Sequence, residues 1–436
     1  MKKFIQTITN IFTIEELRIR ILNTLGFLII FRVGSFITLP GIDPSKLTES
    51  AGGIFGLLDT FLGGAFSNAS IFMLGIMPYI SASIVLQLMT VAVPYFQKLQ
   101  KEGDSGRKKI NQITRVLTIA ICLAQSISVL SATVPVEAIV NNDWFFKASS
   151  MIILTSGTIF CMWLGEKITD KGIGNGISML IMIGIISRFP ATIVAETMSR
   201  GMDQALMLII EFVALFFIVL ATVALVQAVR RIPVQYAKQV VGNKTYGGQR
   251  QYIPLKVNSS GVMPIIFAQS LMFLPAMMGG FWADESDTAQ YIVATFSRVE
   301  SWQYSLVFAI LIILFTFFYT AITINPNQIA DDMKRNGGFV PGIKPGKQTS
   351  EFIDGVLSKI TLPGSVFLAL IAILPAFAIL AGVNRGFAQF YGGTSLLIMV
   401  GVILDTLQQI ESYLLMRHYE GMMKSGRVRG RNQTAA

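Results

Sequence analysis

The sequence predicts an all-α polytopic membrane protein with about ten transmembrane helices. Three observations predict it. The chain is 53% hydrophobic and only 14% charged, where a soluble protein carries about 25% charged residues, and its mean hydropathy is +0.60. Apolar segments recur near 21–39, 71–93, 113–132, 149–165, 176–194, 206–227, 261–281, 304–324, 361–381 and 394–415, at or near the roughly 20 residues that cross a bilayer as helix. The charges collect between them. With both tails on the inner side, about 28 of the 35 Lys and Arg fall inside, as the positive-inside rule asks. An odd number of spans would leave one basic tail outside.

The elements follow in order. Residues 5–20 mix apolar positions with Glu15, Glu16, Arg18 and Arg20, the pattern of a helix lying at the membrane surface. No small-residue cleavage site follows it, so no signal peptide is expected. A soft, glycine-broken piece, Phe61 to Asn68, leads into the apolar run Ile71–Val93, which contains Pro78. A proline inside a membrane helix needs neighbouring protein or water to repair the lost bond, so this segment is expected inside a bundle. Cys122 and Cys161 lie in separate apolar runs and predict no disulfide framework. Gly172-Ile173-Gly174-Asn175-Gly176 has no βαβ context, so it reads as a tight turn between spans and not as a phosphate loop.

Inner loops 94–115, 228–258 and 325–359 hold much of the positive charge. From Arg230 to Lys256 there are six basic residues and no acidic ones. Residues 337–346, Gly-Gly-Phe-Val-Pro-Gly-Ile-Lys-Pro-Gly, have turn chemistry suited to a docking surface. The net charge of +10 fits this orientation together with contact to anionic lipid or RNA. No Walker A motif or His-Glu-x-x-His pair is present, the single histidine is His418, and no nucleophile–base pair is visible. The expectation is no enzyme and no cofactor. The spans hold few ionisable groups, among them Arg32, Glu211, Asp405 and Glu411. That weighs against a secondary transporter of small solutes, the alternative reading, because such transporters bury charges for the coupling ion.

Several motifs carry a resemblance. Gly75-Ile76-Met77-Pro78-Tyr79-Ile80-Ser81-Ala82-Ser83-Ile84 resembles a signature of the bacterial SecY family, the central channel subunit of the Sec protein translocase. Gly165–Thr169 with Gly172–Ser178 resembles its second signature. Pro254–Asn258 with Gly261, Val262 and Pro264, the Pro341–Gly346 turn, and Gly392–Ile398 continue the match in order along nearly the whole chain.

The resemblance implies two pseudo-symmetric five-helix halves, 1–200 and 201–436, around a central pore that also opens sideways to lipid. The surface helix, spans 1–5 and a plug at about 54–70 (Phe61, Gly63, Gly64, Phe66) belong to the first half. Spans 6–10 and the long cytosolic loops belong to the second. A pore ring of Ile76, Ile80, Ile177, Ile181, Ile266 and Ile398 is implied; by composition these are indistinguishable from lipid-facing isoleucines. Gln87, Gln125 and Asn258 match lateral-gate positions, and plain helix–helix glue fits them equally well. Arg230, Arg231, Lys238, Lys244, Arg250 and Lys344 would dock cytosolic partners. Lys344 stands where the family usually has Arg, keeping the charge without the bidentate fork.

The implied activity is translocation of unfolded secretory polypeptides and lateral release of transmembrane segments. The implied partners are SecE-like and SecG-like small subunits, a SecA-like motor ATPase, the ribosome through its RNA, signal peptides, nascent chains and membrane lipids. The implied location is the bacterial inner membrane, with both termini cytoplasmic.

Overall fold

The computed structural model describes residues 14–47, 63–140, 143–201, 204–236, 239–241, 244–246, 250–269, 271–272, 291, 295, 298 and 300–424. By compactness the chain divides into two units. One comprises residues 1–51, 58–188 and 401–436, the other 52–57 and 189–400. Compactness is a different criterion from internal pseudo-symmetry, so the halves 1–200 and 201–436 remain a proposal.

The first unit opens with α1 (Glu15–Gly34), whose acidic first turn and Arg32 in the last turn complement the helix dipole. Phe31 of α1 stacks on Phe72 at 5.9 Å, and Phe72 on Phe160 at 5.8 Å. A Cβ at Gly34 would run into the Phe72 ring, so glycine there admits the stack. The chain after α1 pairs briefly with the chain after the glycine-rich turn: the N–H of Leu39 donates to Ala69 O and that of Ile71 to Ile37 O, both at 2.9 Å.

Then come α2 (Met77–Ala92) and α3 (Pro94–Lys101), bent by 100° at the break. Pro94 explains the break, because the residue before a proline is driven extended, and Val93 has φ −113° and ψ 120°. Next are α4 (Asp104–Thr133) and α5 (Trp144–Lys171). A forked ion pair joins them, with Arg115 Nη2 2.7 and 2.8 Å from the Glu166 carboxylate oxygens.

α6 (Gly176–Arg200) follows a turn held from several sides. Thr24 Oγ1 accepts from the Ile173 N–H at 3.0 Å, and Gln409 Oε1 from the Gly174 N–H at 2.8 Å. A Cβ at Gly176 would collide with the Gly165 carbonyl. The glycines of this motif therefore serve close helix approach, as the turn reading expects.

The second unit holds α7 (Ala205–Gln227), a hairpin with two short inner strands, and α8 (Trp302–Thr323). β1 (Val229–Tyr236), β2 (Gln239–Val241), β3 (Lys244–Tyr246) and β4 (Arg250–Lys256) lead to α9 (Pro326–Arg335), β5 (Gly338–Phe339) and α10 (Lys347–Leu380). α11 (Arg385–Ala388) and the start of α12 (Gly393–Lys424) follow, and α12 from residue 401 belongs to the first unit. β4, β1 and β5 form an antiparallel sheet in that order. It packs Ile232, Val234 and Leu255 against Met333 of α9, Val340, and Ile353 and Leu357 of α10. A second core joins Ile265 and Met272 to Tyr304, Phe308 and Ile312 of α8 and to Leu368 and Ile371 of α10.

Several hydroxyls inside the helices are satisfied within their own helix. Thr118, Thr155, Thr222, Thr316 and Thr361 each donate to the carbonyl four residues earlier, as an apolar surrounding requires. Large apolar side chains of α7, including Leu206, Ile209, Phe216 and Phe217, are exposed, as lipid-facing residues are in a membrane helix.

Seven helices among the described residues are long and apolar enough to cross a membrane, or eight when the bent α2–α3 pair is counted as one span. α1 has 20 residues but carries Arg18, Arg20 and Arg32. The expected span 261–281 is described only as far as Met272.

Four expectations need correction. Residues 15–20 form one helix with the first span, because nothing in Glu15–Gly34 breaks the helix; residues 1–13 lie outside the described residues. Pro78 sits in the first turn of α2, where its missing N–H would have no intrahelical partner anyway. The loop 228–258 is built on strands. The loop 325–359 contains α9, β5 and the first turns of α10, which runs unbroken through the expected loop–span boundary.

Candidate functional site

Each unit carries its own share of the candidate residues. In the first, Ile76 is the N-cap of α2, and the Ile80 N–H donates to its carbonyl at 3.0 Å. One turn apart, the two occupy one side of the helix start, and both are buried. Ile177 and Ile181 lie one turn apart at the start of α6 and are half-buried. Asn175 fixes that start: its Oδ1 accepts from the N–H groups of Ile177 and Ser178 at 3.1 and 3.2 Å. In the second unit, Ile266 is half-buried in the helical stretch 263–269, and Ile398 is buried in α12. The structure thus brings together the pairs 76/80 and 177/181.

The expected plug is described from Gly63 onward; Phe61 and the rest of 54–62 lie outside the described residues. Residues 63–69 form consecutive turns, with Ala65 and Phe66 buried. Gly63 and Gly64 have φ of +62° and +93°, a region glycine enters without the Cβ penalty. Two guanidinium groups meet this turn: Arg32 Nη1 donates to Gly63 O at 2.9 Å, and Arg188 Nη2 to Ser67 Oγ at 2.8 Å. Arg32 lies in the first expected span and Arg188 within the expected span 176–194, and neither carries an expected role. The signal was there, since an arginine within a span is a functional candidate by default.

The gate positions make local bonds. Gln87 Nε2 donates to Ser83 Oγ at 3.4 Å, while its Oε1 is buried without a partner among the described residues. Gln125 is half-buried on α4. Asn258 is buried, and its Oδ1 accepts from Ser260 Oγ at 3.3 Å.

Of the expected docking positions, those described lie on β1, β3 and β4 and in the turn before α10. Arg230 and Arg231 are exposed on β1, opposite Leu255 and Pro254 of β4. Lys244 and Arg250 fall in β3 and β4, and Lys238 lies outside the described residues. Lys344 is exposed, and its carbonyl accepts from Thr349 Oγ1 at 2.9 Å. Gly342 and Gly346, with φ of +86° and +100°, shape that turn.

A family profile for SecY matches residues 70–407, covering α2 through the first half of α12 and every family motif described above, while the expected plug residues 54–69 precede the match. The chain belongs to the SecY family. Among SecY relatives, the protein translocase subunit SecY of Streptomyces scabiei is 44% identical over 434 residues, spanning 95% of this chain and 98% of that protein. That of Mycobacterium bovis is 40% identical, over 94% and 97%. That of Chlamydia trachomatis serovar D is 38% identical, over 98% and 99%.

Solved structures share the SecY fold at lower identity. A protein-conducting channel matches with a TM-score of 0.61 at 16% identity, covering 91% of this chain and 92% of its own. A SecY protein studied for a plug domain that stabilises the closed translocation channel matches at 0.62 and 16%, with the same coverage. The Sec61 channel of a canine ribosome–channel complex from the endoplasmic reticulum matches at 0.58 and 15%, over 91% and 92%.

Proposed function

We propose that this SecY-family chain forms the conduit of a bacterial protein translocase, passing unfolded secretory polypeptides across the membrane and releasing transmembrane segments sideways into lipid. The observation that carries this reading is 44% identity to a translocase subunit across 95% of the chain. The secondary-transporter alternative finds no support among the relatives.

The physics of the task fits the residues. A chain in transit exposes peptide groups that cost several kcal/mol each in hydrocarbon, so it needs an aqueous path. At rest that path must exclude ions. Bulky aliphatic side chains do so by expelling water from a narrow stretch, the role we assign to Ile76, Ile80, Ile177, Ile181, Ile266 and Ile398. Residues 54–70 are the proposed plug, and Gln87, Gln125 and Asn258 the proposed polar seam of the side exit.

Force must come from outside, since the sequence has no Walker A site. A SecA-like motor or a ribosome would supply it at the basic β1–β4 hairpin and the Lys344 turn, with SecE-like and SecG-like subunits alongside. Both tails would face the cytoplasm, as the loop charges favour.

The test is reconstitution of the chain with its co-purifying small subunits into vesicles. A secretory precursor should become protease-protected on addition of the motor and ATP. Ion-coupled uptake of a small solute by the same vesicles, with no precursor protected, would overturn the reading.

A further inference from the structure

We infer that Arg32 and Arg188 are the retaining clamp of the plug, holding residues 63–67 in the resting position. The inference rests on the plug reading above and adds the groups that keep the plug in place.

The geometry is specific. Arg32 at the end of α1 donates to the Gly63 carbonyl, and Arg188 in α6 donates to the Ser67 hydroxyl, so the two ends of a five-residue turn are each held by one guanidinium. The turn lies against α6 with no room for a side chain. A Cβ on Gly63 would stand 2.6 Å from Arg32 Nη1, 2.8 Å from Ser187 Oγ and 2.9 Å from Gly184 Cα. A Cβ on Gly64 would stand 3.1 Å from Arg188 Nη2. Arg32 is itself positioned by the Phe36 ring, 5.1 Å from its guanidinium carbon.

The choice of acceptors suits a part that must leave. Gly63–Ser67 contains no carboxylate, so both arginines hold the turn through a carbonyl and a hydroxyl. Bonds from a cation to neutral acceptors exceed ordinary hydrogen bonds in strength. Releasing them leaves no carboxylate unpaired within the turn itself, in contrast to breaking a buried ion pair. The freed guanidinium groups can be hydrated once the conduit fills with water. Buried Ala65 and Phe66 between the two held ends add apolar seating.

The experiment uses the full chain with its small subunits in planar bilayers and vesicles. Arg32→Gln with Arg188→Gln should raise substrate-free ion conductance about tenfold or more, a loss of the last few kT of closure. It should also let precursors with weakened signal sequences through. Arg32→Lys should stay near the parent, because one donor suffices for the Gly63 carbonyl. A purely structural role would not move the next readout: Ala65→Cys, buried at rest, should become reactive toward a membrane-impermeant maleimide in the double variant. Cys122 and Cys161 are buried and give little background.

Ser67→Ala removes one acceptor with little risk to folding and should give an intermediate effect, and Gly63→Ala should dislodge the turn with both arginines intact. Leak on deleting 63–67, with unchanged conductance and an unreactive Ala65→Cys in the arginine double variant, would overturn the clamp and leave the plug. No leak on that deletion would overturn the plug reading, and the clamp with it.

Discussion

Arg200, the last residue of α6, ties the second unit together at one end, and replacing it by Leu should be among the most destabilising single changes in the chain. Its side chain is 14% exposed, and those of Glu196 and Glu211 are 1% and 4% exposed. The guanidinium donates to Glu196 Oε1 at 3.0 Å, to Glu211 Oε1 at 2.6 Å, to the Gly382 carbonyl at 2.6 Å and to Gln204 Oε1 at 3.2 Å. Glu196 Oε2 accepts from the Asn384 N–H at 3.0 Å, and Tyr391 donates to the Glu211 carbonyl at 2.8 Å. One cation thus joins α6, α7 and the loop between α10 and α11.

Removing one partner of a buried pair costs about 3–5 kcal/mol. Here it would leave two buried carboxylates facing each other, so the upper end applies, about three and a half powers of ten in the folded-to-unfolded ratio. Arg200→Leu with Glu211→Leu removes the anion that has no other donor and leaves Glu196 bound to Asn384. Its recovery over the single variant should be about 1–3 kcal/mol, the coupling expected between residues in one network. Denaturant titration in mixed micelles, followed by tryptophan fluorescence, measures both. Equal stability of Arg200→Leu and the parent, or a double variant weaker than the single, would refute the argument.

Three further outcomes are expected. Ile80→Ser with Ile181→Ser should wet the constriction, giving substrate-free ion leak in single-channel recording; a dry, folded variant would remove these residues from the ring. Asn258→Leu should shift the gate balance by about 1 kcal/mol, several-fold in population, and so change acceptance of marginal signal sequences more than strong ones. Equal response of both classes would end the gate assignment. Arg230→Glu with Arg231→Glu should weaken motor and ribosome binding in titrations, most at low salt, because both side chains are exposed and act through a screened field; normal binding would reduce the hairpin to a connector.

Much of this was legible in the sequence, for identifiable reasons. The Gly172–Gly176 turn could be read because Asn175 is a strong N-cap before an apolar run, and glycine is what two close helices require. The strands were missed although Ile232 and Val234 alternate with Arg231, Pro233 and Gln235 in the period-two pattern of a half-buried strand. Pro233 argues against a strand in isolation. The fold tolerates it because β5 pairs with β1 only at Gln235 and Tyr236, beyond the proline. The start of α10 was missed because hydropathy marks where a helix enters lipid and not where it begins. Pro78 was misplaced for a tertiary reason: residues 63–76 are held in turns by Arg32, Arg188 and the pairing with 37–39, and no local pattern encodes those partners.

The length of α10 links the β-sheet to the membrane part of its unit. Its 34 residues extend roughly 50 Å at 1.5 Å per residue, whereas about 20 residues suffice to cross the bilayer. The surplus lies at the N-terminal end, where Lys347, Glu351 and Lys359 are polar and Ile353 and Leu357 pack on β1 and β4. Further along, Leu368 and Ile371 of the same helix pack on α8. Pro375 frees the Ile371 carbonyl, and Gly392 lies against it. One helix is therefore seated in the sheet that carries Arg230 and Arg231, follows directly on the Lys344 turn, and ends in the apolar core beside Ile265. If the hairpin and the Lys344 turn dock a partner as proposed, a pull on either one loads α10 without an intervening flexible loop. The Gly342 and Gly346 turn then has a mechanical reason to be short and conformationally fixed: slack there would absorb displacement before it reached the helix.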